Sequence, residues 1–236
     1  MNSLVSNILS KPNSSGLLPY TGSELLRWWD PSDSLNVTKS SGRFDQVNDK
    51  SGNSGHIAST SAFRPFDSRT INGKEVLDFQ AGQKIDSIST TGSLAVSVIM
   101  IAAKFDNSNI AYLFDDPTIA NRQVIYCSAI PDFIMFGGNN LSSAVFNTNM
   151  NIFTCVFNGA SSIFYINGIL VVSGNVGGRV STSFRLGSGG AGSPTLFIDG
   201  AVGDTLIYNS LIDNSKKNQT GQYLANKWGV SYTDIT

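Results

Sequence analysis

The chain alternates short apolar runs with clusters of Ser, Asn, Asp and Gly, and most runs have the length and residue types of β-strands. SLAVSVIMIAAKF at 93–105 is apolar at both alternating positions through Val98, Ile99, Met100 and Ile101, which predicts a central strand covered on both faces. NIAYLFD, RQVIYCS, DFIMFGG, SSAVFN and NIFTCVF follow at close spacing, each bounded by turn formers. Asn167-Gly168, between SSIFYI and ILVVSG, supplies the positive φ angles of a type I′ turn and predicts an antiparallel hairpin; Asn158-Gly159 turns NIFTCVF into the same meander. Further strands are predicted near 183–187 and 202–208, joined across a Gly-rich loop. Many short strands at such spacing predict an all-β sandwich or barrel.

One helix is predicted near 213–227, with Asp213 as N-cap and Gly229 closing the end. A short helical turn is also expected at SELLRW, capped by Ser23, with Leu25, Leu26 and Trp28 facing inward. Residues 1–22, interrupted by Pro12, Gly16, Pro19 and Gly22, read as an extended arm, leaving 23–236 as the folded domain. No repeat of fixed period is visible, which argues against solenoids and propellers.

Composition sharpens this picture at the surface. Only 14% of residues are charged while 41% are hydrophobic, and the polar remainder is carried by 33 Ser, 22 Asn and 15 Thr. A net charge of -1 offers no basic excess for phosphates, so a nucleic-acid partner is not expected. No apolar run is long enough to span a bilayer, and the first residues lack a basic segment followed by a continuous apolar one, so the mature protein is expected to start at Met1 without an export signal. Cys127 and Cys155 lie in strand-like stretches and read as buried free thiols rather than a disulfide.

Several segments, in order, carry a likeness to a known superfamily: LLRWWDPSD at 25–33, NDKSGNSGH at 48–56, FRP at 63–65, INGKEVLDFQAG at 71–82, FYINGILV at 164–171, FRLGSG at 184–189, FIDGAVGDTLIYNSLI at 197–212 and QYLANKWG at 222–229. Together they resemble the concanavalin A-like lectin/glucanase superfamily, and within it the laminin-G-like jelly-roll modules of bacterial surface and bacteriophage virion proteins. The resemblance implies a two-sheet antiparallel jelly-roll sandwich with one short C-terminal helix. Trp29 and Trp228 are large enough to fasten the chain ends to it, and Val47 stands where many relatives carry Trp.

Candidate chemistry is sparse. A glucanase mechanism needs two cooperating carboxylates, yet the only Glu residues are Glu24 and Glu75, far apart; adjacent Asp115 and Asp116 would point to opposite faces of a strand. His56, the only histidine, follows a turn, and no Gly-x-Ser-x-Gly elbow accompanies it. Gly187 to Gly192 spell G-x-G-x-x-G, but an extended segment and not a helix follows, so no dinucleotide site is expected. The protein is therefore expected to have no catalytic residues.

The superfamily resemblance implies calcium as the plausible ion in rim loops, with Asp115, Asp116, Asn139 and Asn140 as candidate ligand-binding residues; the plain alternative is that these are solvated turn residues. Tyr20, Tyr112, Tyr126 and Tyr232 are candidates for stacking on sugar rings, against the alternative of ordinary packing. The function expected from the resemblance is a non-enzymatic virion protein of a bacteriophage, as capsid decoration, head fibre or tail fibre, present as an oligomer or in repeated copies. Its arm would hold it to other virion subunits, and its sandwich would contact host-surface polysaccharide. The competing readings are a decoration subunit without ligand, a carbohydrate-active enzyme, and an adhesion module from a longer secreted protein.

Overall fold

A computed structural model of the chain describes residues 17–60, 62–87, 94–118, 122–128, 132–190 and 195–236. In chain order the strands begin with β1 (Leu25–Trp29), β2 (Val37–Ser40), β3 (Arg43–Val47), β4 (Ile57–Ala58), β5 (Thr70–Ile71) and β6 (Lys74–Glu75). Next come β7 (Leu77–Gln80), β8 (Ile85–Ser87), β9 (Ser97–Phe105), β10 (Ala111–Asp115), β11 (Val124–Cys127) and β12 (Phe133–Phe136). The last are β13 (Asn140–Ser142), β14 (Asn151–Phe157), β15 (Ser162–Ile166), β16 (Ile169–Gly174), β17 (Arg185–Leu186) and β18 (Asp199–Tyr208), followed by helix α1 (Asn214–Trp228).

These strands form the expected two-sheet antiparallel sandwich with its one C-terminal helix. The seven-stranded sheet runs β1-β18-β9-β14-β15-β16, with β7 also paired to β18; the nine-stranded sheet runs β13-β12-β11-β10-β17-β8-β4-β3-β2. Between them lies a core rich in phenylalanine, where Phe105, Phe133 and Phe153 pack with ring centroids 4.8–6.4 Å apart. Each such side chain, once buried, contributes about 1.5–3 kcal/mol. Cys127 and Cys155 are buried here as free thiols.

The apolar run through β9 now has a cause. Ile99, Ile101, Ala103 and Phe105 enter the core between the sheets, while Val98, Met100 and Ala102 face a second apolar layer that packs under α1. The strand is covered twice, so both its faces are apolar. The Asn167-Gly168 turn carries φ of 54° and 79° and joins β15 to β16 as an antiparallel pair, matching the sequence expectation.

Helix α1 starts where its cap chemistry dictates. The Asp213 carboxylate accepts the Lys216 N–H, and Gly229, left-handed at φ 69°, ends the helix while its N–H bonds the Ala225 carbonyl. A polar clasp fixes the helix to the sheet. Between Val202 and Thr205 the β18 register gains one residue against β9, and this bulge contains Gly203 and Asp204. Asp204 accepts from Trp28 Nε1 (2.9 Å), Trp228 Nε1 (3.0 Å) and Tyr223 Oη (2.8 Å), and pairs with Lys227 Nζ at 2.8 Å. Lys227 also reaches Asp30 at 2.6 Å. Burial raises the Asp204 carboxyl above the ordinary carboxylate range. Gly203 has no substitute here, because a Cβ would lie 2.5 Å from Trp228 Cε2.

Three local expectations are corrected. SELLRW is not a helical turn: Leu25–Trp29 is strand β1, in which Arg27 is buried beside Asp49 at 3.5 Å and therefore behaves as an inward residue. Consequently Trp28 faces the helix layer, whereas Trp29 enters the core and donates to the Gly55 carbonyl. SSAVFN is not a strand beyond Ser142; Ser143 folds back, its hydroxyl bonding the Phe133 N–H and the Val145 carbonyl. The central strand begins at Ser97, leaving 94–96 outside it, while residue 93 lies outside the described residues. Most of the expected arm lies outside the described residues, but Pro19 is buried and Tyr20 docks on α1, its N–H donating to Thr220 Oγ1 and its ring stacking on Tyr208. Among the described residues no helix is long and apolar enough to cross a membrane.

Candidate functional site

The two outer faces of the sandwich differ in cover. Helix α1 lies on the seven-stranded sheet, while strands β10 to β13 of the nine-stranded sheet turn one face outward. Alternation sends Leu113, Ile125, Cys127, Phe133, Met135 and Leu141 into the core, and leaves Tyr112, Tyr126, Phe136 and Asn140 on the other side. Register then assembles them. Tyr112 is the cross-strand partner of Tyr126, and Val124, Phe136 and Asn140 stand side by side on β11, β12 and β13.

The two tyrosine rings stack at 5.0 Å with an interplanar angle of 12°, and both stay partly exposed. Tyr126 Oη donates to Asn140 Oδ1 at 3.2 Å. Partial burial raises the Tyr126 phenol, so it remains a neutral donor at physiological pH. With Arg122 and Val124 these residues line a cleft of ≈ 110 Å³, smaller than pockets that engulf a ligand and open enough to take one face of a ring. Beneath Tyr112 lies Gly189, where a Cβ would come within 2.5 Å of Tyr112 Cγ. The Gly-rich stretch thus gives the tyrosine ring a flat floor. Its residues 191–194 lie outside the described residues.

Asp115 and Asp116 do point to different surroundings, and both are fully buried. Asp115 holds Arg122 with two bonds, from Nε at 2.9 Å and Nη2 at 2.6 Å, and accepts the N–H groups of Asp116 and Gly190. Burial raises the Asp115 carboxyl, and the bonded Asp115 in turn raises the Arg122 guanidinium. Arg122 Cζ lies 5.5 Å from the Tyr112 ring centroid, so Asp115 positions the cation at the edge of the stacked pair. Asp116 accepts from the N–H groups of Thr118, Thr182 and Ser183 and from the Thr182 and Ser183 hydroxyls, tying the β10 loop to the chain before β17. Their oxygens are spent on protein donors.

The remaining candidates separate. Asn140 belongs to the aromatic cleft; Asn139 is exposed beside it, its N–H bonded to the Val176 carbonyl. Tyr20 and Tyr232 lie at the helix layer on the opposite side. His56 accepts the Asp49 N–H at Nδ1, in a loop where the Asp49 carboxylate gathers the N–H groups of Trp28, Ser51 and Gly55. Glu24 bonds Tyr20 and Lys216, and Glu75 bonds Lys39. Among the described residues no three His, Cys, Asp or Glu side chains gather as a metal-ligand group. Sequence reasoning passed over Phe136, Arg122 and Gly189; the available signal was an aromatic at an outward strand position beside two already suspected.

No family model and no curated protein matches the chain. Solved structures do. Domain 4 of AbnA, a GH43 extracellular arabinanase from Geobacillus stearothermophilus, in complex with arabinotriose, is similar over 84% of this chain and 97% of that one (TM-score 0.56, 14% identity). An arabinofuranosidase complexed with arabinofuranosyl-alpha-1,2-xylobiose is similar over 79% of this chain and 51% of its own (TM-score 0.64, 9% identity). The binding domain of Botulinum Neurotoxin DC in complex with SialylT is similar over 87% and 52% (TM-score 0.60, 14% identity). The chain spans about half the length of these last two. At such identities the likeness establishes the fold alone, a β-sandwich.

Proposed function

We propose that this protein is a non-enzymatic carbohydrate-binding sandwich that takes a sugar on the Tyr112, Tyr126 and Phe136 face of its larger sheet. The observation that carries the reading is the stacked tyrosine pair, partly exposed, with an amide and a guanidinium at its edge. Aromatic faces stack on the apolar C–H face of a pyranose ring, and Asn140 and Arg122 offer hydrogen bonds to its hydroxyls. The similar arabinanase domain in complex with arabinotriose and the similar toxin domain in complex with SialylT support the same ligand class.

The non-enzymatic part rests on carboxylate chemistry. The usual glycosidase mechanism needs two free carboxyl groups flanking one bond. Glu24 and Glu75 are spent on Lys216 and Lys39 elsewhere, Asp115 behind the cleft is committed to Arg122, and Asp132 accepts the Ser128 and Ser142 hydroxyls. Calcium is not required in this reading, since the acidic oxygens near the cleft already hold protein donors. The setting, display in repeated copies on a bacteriophage particle with residues 1–22 as anchor, rests on the sequence resemblance.

The test is a glycan array probed with wild type and Tyr126→Ala, with reducing ends assayed on any glycan bound. We expect at least one glycan class to bind, about tenfold or more weaker in the variant, and no new reducing ends. Binding indifferent to Tyr126 overturns the site; reducing ends accumulating in proportion to protein overturn the non-enzymatic reading.

A further inference from the structure

We propose that the sugar taken on this face carries a carboxylate, read by Arg179 beside Phe136; the inference rests on the carbohydrate-binding reading above. The cleft is lined by Tyr112, Arg122, Val124, Tyr126, Phe136 and Asn140, so it contains a cation and no acid. The Arg122 charge is already balanced by Asp115. Arg179 adds a second guanidinium, its Cζ 5.2 Å from the Phe136 ring centroid.

Arg179 is unlike the other arginines. Arg27, Arg64, Arg69, Arg122 and Arg185 each pair with an aspartate, and Arg43 donates to the Arg64 carbonyl over the Phe66 ring. The exposed guanidinium of Arg179 has neither a carboxylate nor a carbonyl partner among the described residues. Its backbone is nevertheless fixed. The Arg179 N–H donates to the Gly137 carbonyl at 2.8 Å, and its carbonyl accepts from buried Gln123 Nε2 at 3.4 Å. The charge is therefore held at the rim of the cleft without being consumed. Asp132 precedes β12 while Phe136 ends it, and its oxygens accept the Ser128 and Ser142 hydroxyls. A planar guanidinium over an aromatic ring, next to the tyrosine pair, fits a uronate-type ring: carboxylate to the fork, apolar ring face to the aromatic side chains.

The experiment uses the full chain and matched oligosaccharide pairs from polygalacturonate, alginate, hyaluronan and heparosan, each titrated beside its carboxyl-reduced counterpart. Wild type, Arg179→Gln and Tyr126→Ala are compared by calorimetry. The acidic member of at least one pair is expected to bind about tenfold or more tighter than the reduced one. Arg179→Gln should bring the pair within about twofold by weakening only the acidic member, while Tyr126→Ala weakens both. Equal binding of both members, or a preference that survives Arg179→Gln, overturns the carboxylate inference and leaves the sugar site standing if Tyr126→Ala still weakens binding. Binding indifferent to Tyr126, or none across the panel, overturns both.

Discussion

The outer faces of the two sheets use the same materials to opposite ends. On the seven-stranded sheet, Trp28, Tyr208, Tyr223 and Trp228 are all at most 8% exposed, and every polar tip finds a partner: Trp28, Tyr223 and Trp228 donate to Asp204, and Tyr208 bonds Thr220 and the Tyr20 carbonyl. On the nine-stranded sheet, Tyr112, Tyr126 and Phe136 remain partly exposed above a buried carboxylate, Asp115, whose cation Arg122 reaches the edge of the rings. A buried acid anchors donors in each case. The difference is the cover. Helix α1 closes the first face and turns aromatic area into stability; nothing among the described residues closes the second, and its area stays available to a ligand.

The comparison breaks most readily at Asp204. Asp204→Ala strips the acceptor from two indoles, a phenol and an ammonium, so it should cost about 3–5 kcal/mol, read as a lower denaturant midpoint with unchanged slope. Trp228→Ala, which also empties a cavity, should fall in the same range. If either costs less than about 1 kcal/mol, the helix is not the seal described here.

Arg122→Ala tests whether the open face has one buried feature of its own. It leaves Asp115 without its cation and should cost about 1–3 kcal/mol, more than removing either tyrosine. Gly189→Ala comes next. Its Cβ would strike the partly exposed Tyr112 ring and push it out of its stack on Tyr126, so stability should fall by about 1 kcal/mol while ligand binding is lost with the flat stack. Tyr126→Ala should cost still less stability, because its ring is half in water already. A large loss of stability with binding preserved would reverse the roles assigned to the two faces.

How far the sequence carried the fold depended on the range of the signal. Strand β9, the Asn167-Gly168 hairpin and the caps of α1 were legible because each is written in adjacent residues. Leu25–Trp29 was not, because LLRWW fits a helical stripe as well as a strand and the deciding partner, strand β18, lies far along the chain, with Trp29 paired to Thr205. The site was half legible for the same reason. Tyr112, Tyr126 and Asn140 were suspected singly as aromatic and amide residues near loops, but their meeting depends on the registers of β10 to β13. Asp115 and Asp116, read as an acidic loop, proved to be addressed to Arg122, Thr182, Ser183 and Gly190, partners that local sequence does not reveal.

The smallest effects lie where the sealed face meets the chain before β1. Glu24 accepts from Lys216 Nζ at 2.9 Å and Tyr20 Oη at 2.7 Å, and these bonds hold its carboxyl down to about 2. A carboxyl whose folded value is depressed stabilises the folded chain above its unfolded value, and that contribution is lost as pH falls. Here the window runs from the ordinary carboxylate value of about 4.5 down to about 2. Because the pair sits at the surface, the loss should be slight and should shrink with added salt. It should appear in the segment around Tyr20 and not in the global transition: between pH 4.5 and 2, Glu24→Gln should lose less amide-exchange protection at Tyr20 than wild type does. Equal loss in both chains would mean that Tyr20 is held by its stack on Tyr208 and the Thr220 hydroxyl alone, and that the seal ends at α1 without the Glu24 contact.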